Sequence, residues 1–295
     1  MGNTDDALVA PGKIFPRNDL VFKRIFGDKR NGNILRSFLK SILYLDDYDL
    51  SKLEIIESST RLNKAFDKTG ILDVKCTTKT GKIIGIELQV AHDSSIKERL
   101  VYQTARSFVD QSFKGDNYFD LHKTITIAIA IDHTIIKKGS EYSYRFRYYD
   151  HECNVEFTDI TEIYILEAKK LPKDEDNSLI QWLKFLKSKS EEEMQMLANK
   201  NSVIKEAVCV YKQLTADQKF RNQAWTRQLA IWDRNSQINN ARAQGEKIGL
   251  SKGESIGINK RNIEIARNLL NSGLDLEFIA KSTGLTKSQI EALKK

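Results

Sequence analysis

Residues 124–131 read TITIAIAI, a run with no charged residue, no glycine and no proline. A strand apolar or β-branched at nearly every position has no face to turn to water, so it belongs inside a sheet covered on both sides. That excludes an open sheet wetted on one face and requires helices above and below. The chain offers suitable partners. Asn18 is placed to cap a helix over residues 19–26, with Leu20 or Val21 and Ile25 inward and Gly27 ending it. Ile34, Leu35, Phe38, Leu39, Ile42 and Leu43 keep helical spacing, and so do Ile96, Leu100, Tyr102 or Gln103, and Phe108 within residues 94–113. A strand is expected over residues 53–57. The predicted fold class is α/β.

Residues 71–90, ILDVKCTTKTGKIIGIELQV, hold two β-prone runs around a Thr/Lys/Gly turn and read as a hairpin. Alternation puts Asp73 and Lys75 on one face of the first run, and Leu72 and Val74 on the other. In the second run Glu87 and Gln89 oppose Ile84, Ile86, Leu88 and Val90, giving one acidic and one apolar face. Acids are depleted in strands, and a buried carboxylate needs a partner or a cation. Pairing across the hairpin sets Asp73 near Glu87, and two adjacent carboxylates repel unless a divalent ion lies between them.

An aspartate on one strand, followed by Glu-X-Gln on the next, resembles the core of the PD-(D/E)XK nuclease superfamily. Asn18-Asp19-Leu-Val-Phe22-Lys23-Arg-Ile-Phe26-Gly27, Leu72-Asp73-Val74, Ile86-Glu87-Leu88-Gln89 and Arg99-Leu-Val-Tyr102-Gln-Thr-Ala-Arg106 together resemble its recombination-promoting nuclease (Rpn), transposase-like branch. The resemblance implies a restriction-endonuclease-like mixed sheet flanked by helices, with an α-helical C-terminal extension. It implies a metal-dependent DNA endonuclease linked to recombination or mobile elements, with Asp73, Glu87, Gln89 and Lys75 catalytic. Mg²⁺ or Mn²⁺ would be held by Asp73, Glu87, the Leu88 carbonyl and Asp19. Asp19 also has a plain reading, as an acid set against a helix N-terminus. Gln89 replaces the usual lysine, and a neutral amide holds no charge and shuttles no proton, so Lys75 or the metal alone would carry that part. Arg99, Tyr102 and Arg106 share a helix face that can meet phosphates of double-stranded DNA, or the two arginines form surface ion pairs.

The nuclease core is expected over residues 15–171, including a hairpin from residues 142–149 and 155–157 and a short strand at 163–166. Residues 1–14 read as a polar arm with no secretory leader. A helical extension spans residues 172–244, with segments at 177–186, 191–199, 203–214 and 218–242 and Trp182, Phe185, Trp225 and Trp232 as anchors. Gly245, Gly249, Gly253 and Gly257 make residues 245–258 a pliable helix or hinge. Residues 259–295 read as a small helical unit shaped like a helix-turn-helix, offering Thr286, Lys287 and Gln289 to a DNA groove or docking protein instead. A homodimer through the C-terminal helices is the second expected partnership.

The remaining chemistry is sparse. Cys76, Cys153 and Cys209 are isolated and His92, His122, His133 and His151 lack metal-ligand spacing, which fits a reducing cytoplasm and no zinc site. No phosphate loop ends in GK[ST]. Apolar runs fall short of the roughly 18 residues of a membrane helix, and the net charge of +7 permits a polyanionic partner. Two rival readings stay open: a DNA-binding protein of the same fold without turnover, and a helical interaction protein.

Overall fold

The computed structural model describes residues 13–56, 73–90, 93–111 and 117–294. The chain divides between Leu229 and Ala230 into two compact units. Residues 1–12, Leu72, His92, Phe113 and the far end of the strand expected to reach Glu57 lie outside the described residues.

The first unit opens with α1 (Asp19–Phe26), α2 (Gly32–Ile42) and α3 (Asp47–Leu50). Asn18 caps α1 by accepting from the Leu20 and Val21 N–H groups, and Gly27 ends it. Then come β1 (Glu54–Ile56), β2 (Val74–Thr77), β3 (Ile83–Gln89), α4 (Ile96–Val109), β4 (Thr124–Ala130), β5 (Ser143–Asp150) and β6 (Val155–Glu167). One mixed sheet has the order β1-β2-β3-β4-β6-β5. β3, β4 and β6 run parallel, and the outer pairs are antiparallel. The parallel step from β3 to β4 needs a crossover, which α4 supplies. β4, the TITIAIA strand, is central and buried at every position.

Two expectations change. β3 was expected to show one acidic face, but all seven of its residues are buried. Glu87 sits beside Ala128 in the β3–β4 register, and Ile96 and Leu100 of α4 pack with Ala128, Ala130 and Ile165, so α4 covers that face too. The separate strands expected at 155–157 and 163–166 are one 13-residue strand, β6. The polar Asp159 and Glu162 between them leave the strand unbroken: Lys123 binds both, and Arg145 of β5 binds Glu162.

The opposite sheet face carries the main core. The tilted rings of Phe22 and Phe26 of α1 lie 4.7 Å apart, and Phe26 meets Phe38 of α2 at 5.0 Å and Trp182 at 5.7 Å. Trp182 comes from α5 (Ser178–Lys187), which with α6 (Glu191–Lys200) and α7 (Ser202–Ala216) completes this layer. α8 (Gln218–Asn271) is a single 54-residue helix. It contains the four periodic glycines, and nothing lies within 4 Å of the side chain that any of them lacks. Trp225 packs on the core, whereas Trp232, expected as an anchor, is 43% exposed.

In the second unit the end of α8 joins α9 (Leu276–Thr283) and α10 (Lys287–Glu291) around Ala266, Ile279, Leu285 and Ile290. Asp275 caps α9, Gly284 takes the left-handed conformation at φ 70°, and Thr286 with Gln289 forms a capping box on α10.

Candidate active site

The site lies at the C-terminal end of β3. Strand residues alternate in the direction of their backbone groups. In β3 the odd-numbered residues face β4, since the Ile83 N–H donates to Lys123 and the Gln89 carbonyl accepts from Ile131. Even-numbered residues therefore face β2. The Asp73 N–H donates at 2.9 Å to the carbonyl of Ile86, the residue opposite Val74 in the register. Asp73 Oδ2 in turn accepts from the Leu88 N–H at 2.8 Å, and the Leu88 carbonyl points to the same side. Asp73 and Glu87 are thereby brought together as neighbours across the hairpin.

α1 closes the site from the other side. Lys23 Nζ stands 3.1 Å from Asp73 Oδ1. Asp19, one turn earlier, is gripped through Oδ2 by Arg227 of α8, while its buried Oδ1 has no hydrogen-bond partner among the described residues. Gly27 ends α1 where a Cβ would fall 2.7 Å from the Lys23 carbonyl of the helix's own last turn, with Val74 Cγ2 in ordinary contact at 3.4 Å. Asn18 adds a second tie, its amide donating to the Ala224 carbonyl and to Gln228 Oε1.

Glu87 is 6% exposed. Its Oε1 accepts from Gln89 Nε2 at 2.5 Å and pairs with Arg99 Nη2 at 2.7 Å, and its Oε2 has no partner among the described residues. Arg99 also binds Asp93. Burial pushes the Asp73 carboxyl above the usual carboxylate range, against the pull of the Leu88 N–H and Lys23, and the nearby charge of Asp19 adds to the rise. Burial raises Glu87 likewise, opposed by Arg99 and the adjoining Gln103 amide and reinforced by Asp73. Lys75 shares the Glu87 face, opposite Gly85, yet its charged neighbours are Asp110 and Arg106. Burial lowers its ammonium, Asp110 opposes the shift and Arg106 adds to it.

The donor set suits a hard cation. It consists of carboxylate oxygens and one carbonyl, and two of the buried oxygens, Glu87 Oε2 and Asp19 Oδ1, have open lone pairs. Among the described residues no three His, Cys, Asp or Glu side chains close around one point, so the carboxylates alone form no complete shell. The expected phosphate ligands are spread over two units. Arg99 faces carboxylates, Arg106 lies 3.9 Å from Asp110, and Tyr102 is 47% exposed. In the second unit Lys287 is exposed and lies 3.7 Å from Glu277. Gln289 differs from expectation: its amide oxygen accepts from the Thr286 N–H at 2.9 Å and is occupied in capping α10.

Lys23, Arg227, Asp93 and Gln103 were not among the residues expected at the site. Lys23 was legible, standing one helical turn after Asp19 in the quoted motif, whereas Arg227 follows more than 150 residues after Asp73 with no local signal. Two clefts elsewhere, one lined by Lys52, Lys79 and His122 and one by Arg24, Arg30 and Phe220, include neither Asp73 nor Glu87.

Residues 16–241 match the family described as PD-(D/E)XK nuclease family transposase. Residues 259–295 match the Rpn/YhgA-like nuclease family, C-terminal HTH domain. No curated protein and no solved structure gives a significant match. Among the described residues no helix is long and apolar enough to cross a membrane.

Proposed function

The chain belongs to the PD-(D/E)XK nuclease family of transposases and ends in the HTH domain of Rpn-like nucleases, and from that premise we propose that it is a divalent-metal-dependent endonuclease of double-stranded DNA, acting in recombination or mobile-element movement. The observation that carries this reading is the meeting of Asp73 and Glu87 at one end of the sheet, with Glu87 Oε2 and Asp19 Oδ1 left unbonded. Asp73, Glu87, the Leu88 carbonyl and Asp19 would hold Mg²⁺ or Mn²⁺. When bound, such an ion neutralises non-bridging phosphate oxygens and makes an attacking water more acidic.

The chain's own groups do the positioning. The Leu88 N–H and Lys23 fix the two oxygens of Asp73, and Gln89 and Arg99 fix Oε1 of Glu87, leaving Oε2 free to turn to the reacting centre. Arg99, Tyr102 and Arg106 on α4 would receive the flanking phosphates, Arg99 exchanging a carboxylate for a phosphate. Hydrolysis joins the water oxygen to phosphorus. The bond to the leaving deoxyribose oxygen breaks with its electron pair, that oxygen gains a proton from solvent, and the attacking water loses one to solvent.

Nicking of supercoiled plasmid, with Mg²⁺ or with a chelator, tests the reading. The wild type is expected to nick only with the metal, and Asp73→Ala or Glu87→Ala to abolish nicking in a folded protein. Chelator-resistant or unaltered cutting overturns it. A DNA-binding protein without turnover is the second reading, favoured by the internal pairing of Asp73 with Lys23 and of Glu87 with Arg99. It is upheld if DNA is bound and Mn²⁺ is not.

A further inference from the structure

Attack on a phosphodiester accumulates negative charge in the transition state, and a fixed cation beside the attacking water is worth far more there than in the ground state. The Glu87-Leu88-Gln89 triplet offers none. Gln89 is neutral, and its amide donates to Glu87 Oε1 at 2.5 Å. Lys75 answers to Asp110 and Arg106. Arg99 is divided between Glu87 and Asp93. Among the described residues one further ammonium reaches the acids: Lys23, 3.1 Å from Asp73 Oδ1, with 30% of its side chain exposed.

Its placement is built in. Lys23 lies on α1 between Phe22 and Ile25, whose side chains are fully buried together with Val21 and Phe26. Asn18 fixes the start of the helix to Ala224 and Gln228, and Gly27 ends it beside Val74, the residue after Asp73. A flexible lysine on a surface loop would meet Asp73 intermittently, whereas this one is carried by a helix held at both ends against the strand that bears its partner.

We infer that Lys23 supplies from α1 the positive charge that Gln89 cannot supply from β3, acting as a positioning residue through Asp73. The inference rests on the nuclease reading. Lys23 keeps Asp73 Oδ1 oriented and sets a permanent charge beside the carboxylate around which the water is placed. No proton transfer by Lys23 is required.

The test uses the full chain with four variants: Lys23→Met, Lys23→Arg, Gln89→Lys and the double variant Lys23→Met/Gln89→Lys. Mn²⁺ affinity is measured by titration and plasmid nicking with Mg²⁺. Lys23→Met is expected to bind Mn²⁺ at least as tightly as wild type, because a competing cation has left Asp73. Its maximal nicking rate should fall about 100-fold, in the range of losing one transition-state donor, with little change in half-saturating DNA. Lys23→Arg should keep the rate within about tenfold. The double variant should regain at least about tenfold over Lys23→Met, since the charge returns from the neighbouring position. Lys23→Gln keeps a donor without charge and is read in the same way if Lys23→Met does not fold. Wild-type nicking by Lys23→Met, loss of Mn²⁺ binding in step with nicking, or no gain in the double variant overturns the inference alone. Failure of the wild type to nick with any divalent ion overturns the nuclease reading and this inference with it.

Discussion

Gly27 shows how one missing methyl group can shape the candidate site. Its φ of −101° is open to any residue, so the requirement is space: a Cβ would press on the Lys23 carbonyl at 2.7 Å. Gly27→Ala should shift the end of α1 and draw Lys23 off Asp73, lowering nicking about tenfold or more while costing only about 1–3 kcal/mol of stability; plasmid nicking and urea unfolding check the two effects. The acids make an opposite prediction. Asp73 and Glu87 are raised in the fold, so the folded protein binds more protons than the unfolded chain above the ordinary values of 3.8 and 4.5. Their ionisation then costs stability as pH rises. In metal-free protein at pH 7, Asp73→Asn and Glu87→Gln should melt at or above the wild-type temperature, and the advantage should shrink as pH falls to 4. A clear loss of melting temperature at pH 7 contradicts this. Both acids were legible because charge on an apolar strand is rare. Arg227 was not, since no periodicity links it to Asp19.

At the level of elements, regular patterns were legible and interrupted ones were not. α1, α2 and β4 follow directly from capping and periodicity. β6 was concealed because Glu162, its side chain 1% exposed, looks foreign to a strand until Lys123 and Arg145 are seen beside it at 2.8 and 2.5 Å. Burial alone would raise Glu162, but hydrogen bonds from Arg145 and Lys123 outweigh it and hold the carboxyl below its usual 4.5. Its stabilisation is therefore present above pH 4.5 and lost as pH falls through the lowered value. Glu162→Gln should cost about 3 kcal/mol at pH 7, the lower end for a broken buried pair because both cations reach solvent. The deficit should vanish in acid; equal urea midpoints at pH 7 contradict it. α8 was concealed by its glycines, each weakening a helix by about 1 kcal/mol relative to alanine. Between them Glu246, Lys247, Leu250, Lys252 and Glu254 are good helix formers and sustain the helix.

For the whole molecule, charge separates the tasks. Residues 218–295 hold 14 Lys and Arg against 7 acids, so they account for the entire net charge of +7, and residues 1–217 are balanced. The candidate site lies on a body without net charge, and the positive excess lies on α8 and the helix-turn-helix unit. We propose that a chain ending at residue 244 still nicks plasmid but binds DNA more weakly, its salt dependence shallower by about 0.9 in slope for each phosphate the missing tail would have neutralised. A soluble, Mn²⁺-binding truncation that never cuts, even at high concentration, rejects this modularity. The tie between Asn18 and the Ala224 carbonyl also has a consequence in time. It joins residues 206 positions apart, and ribosomes add about 5–20 residues per second. The opening helix of the site thus emerges on the order of 10–40 s before the residues that lock it. A nascent chain carries its acids and its lysine without the clasp that assembles them until Ala224 and Gln228 have been made.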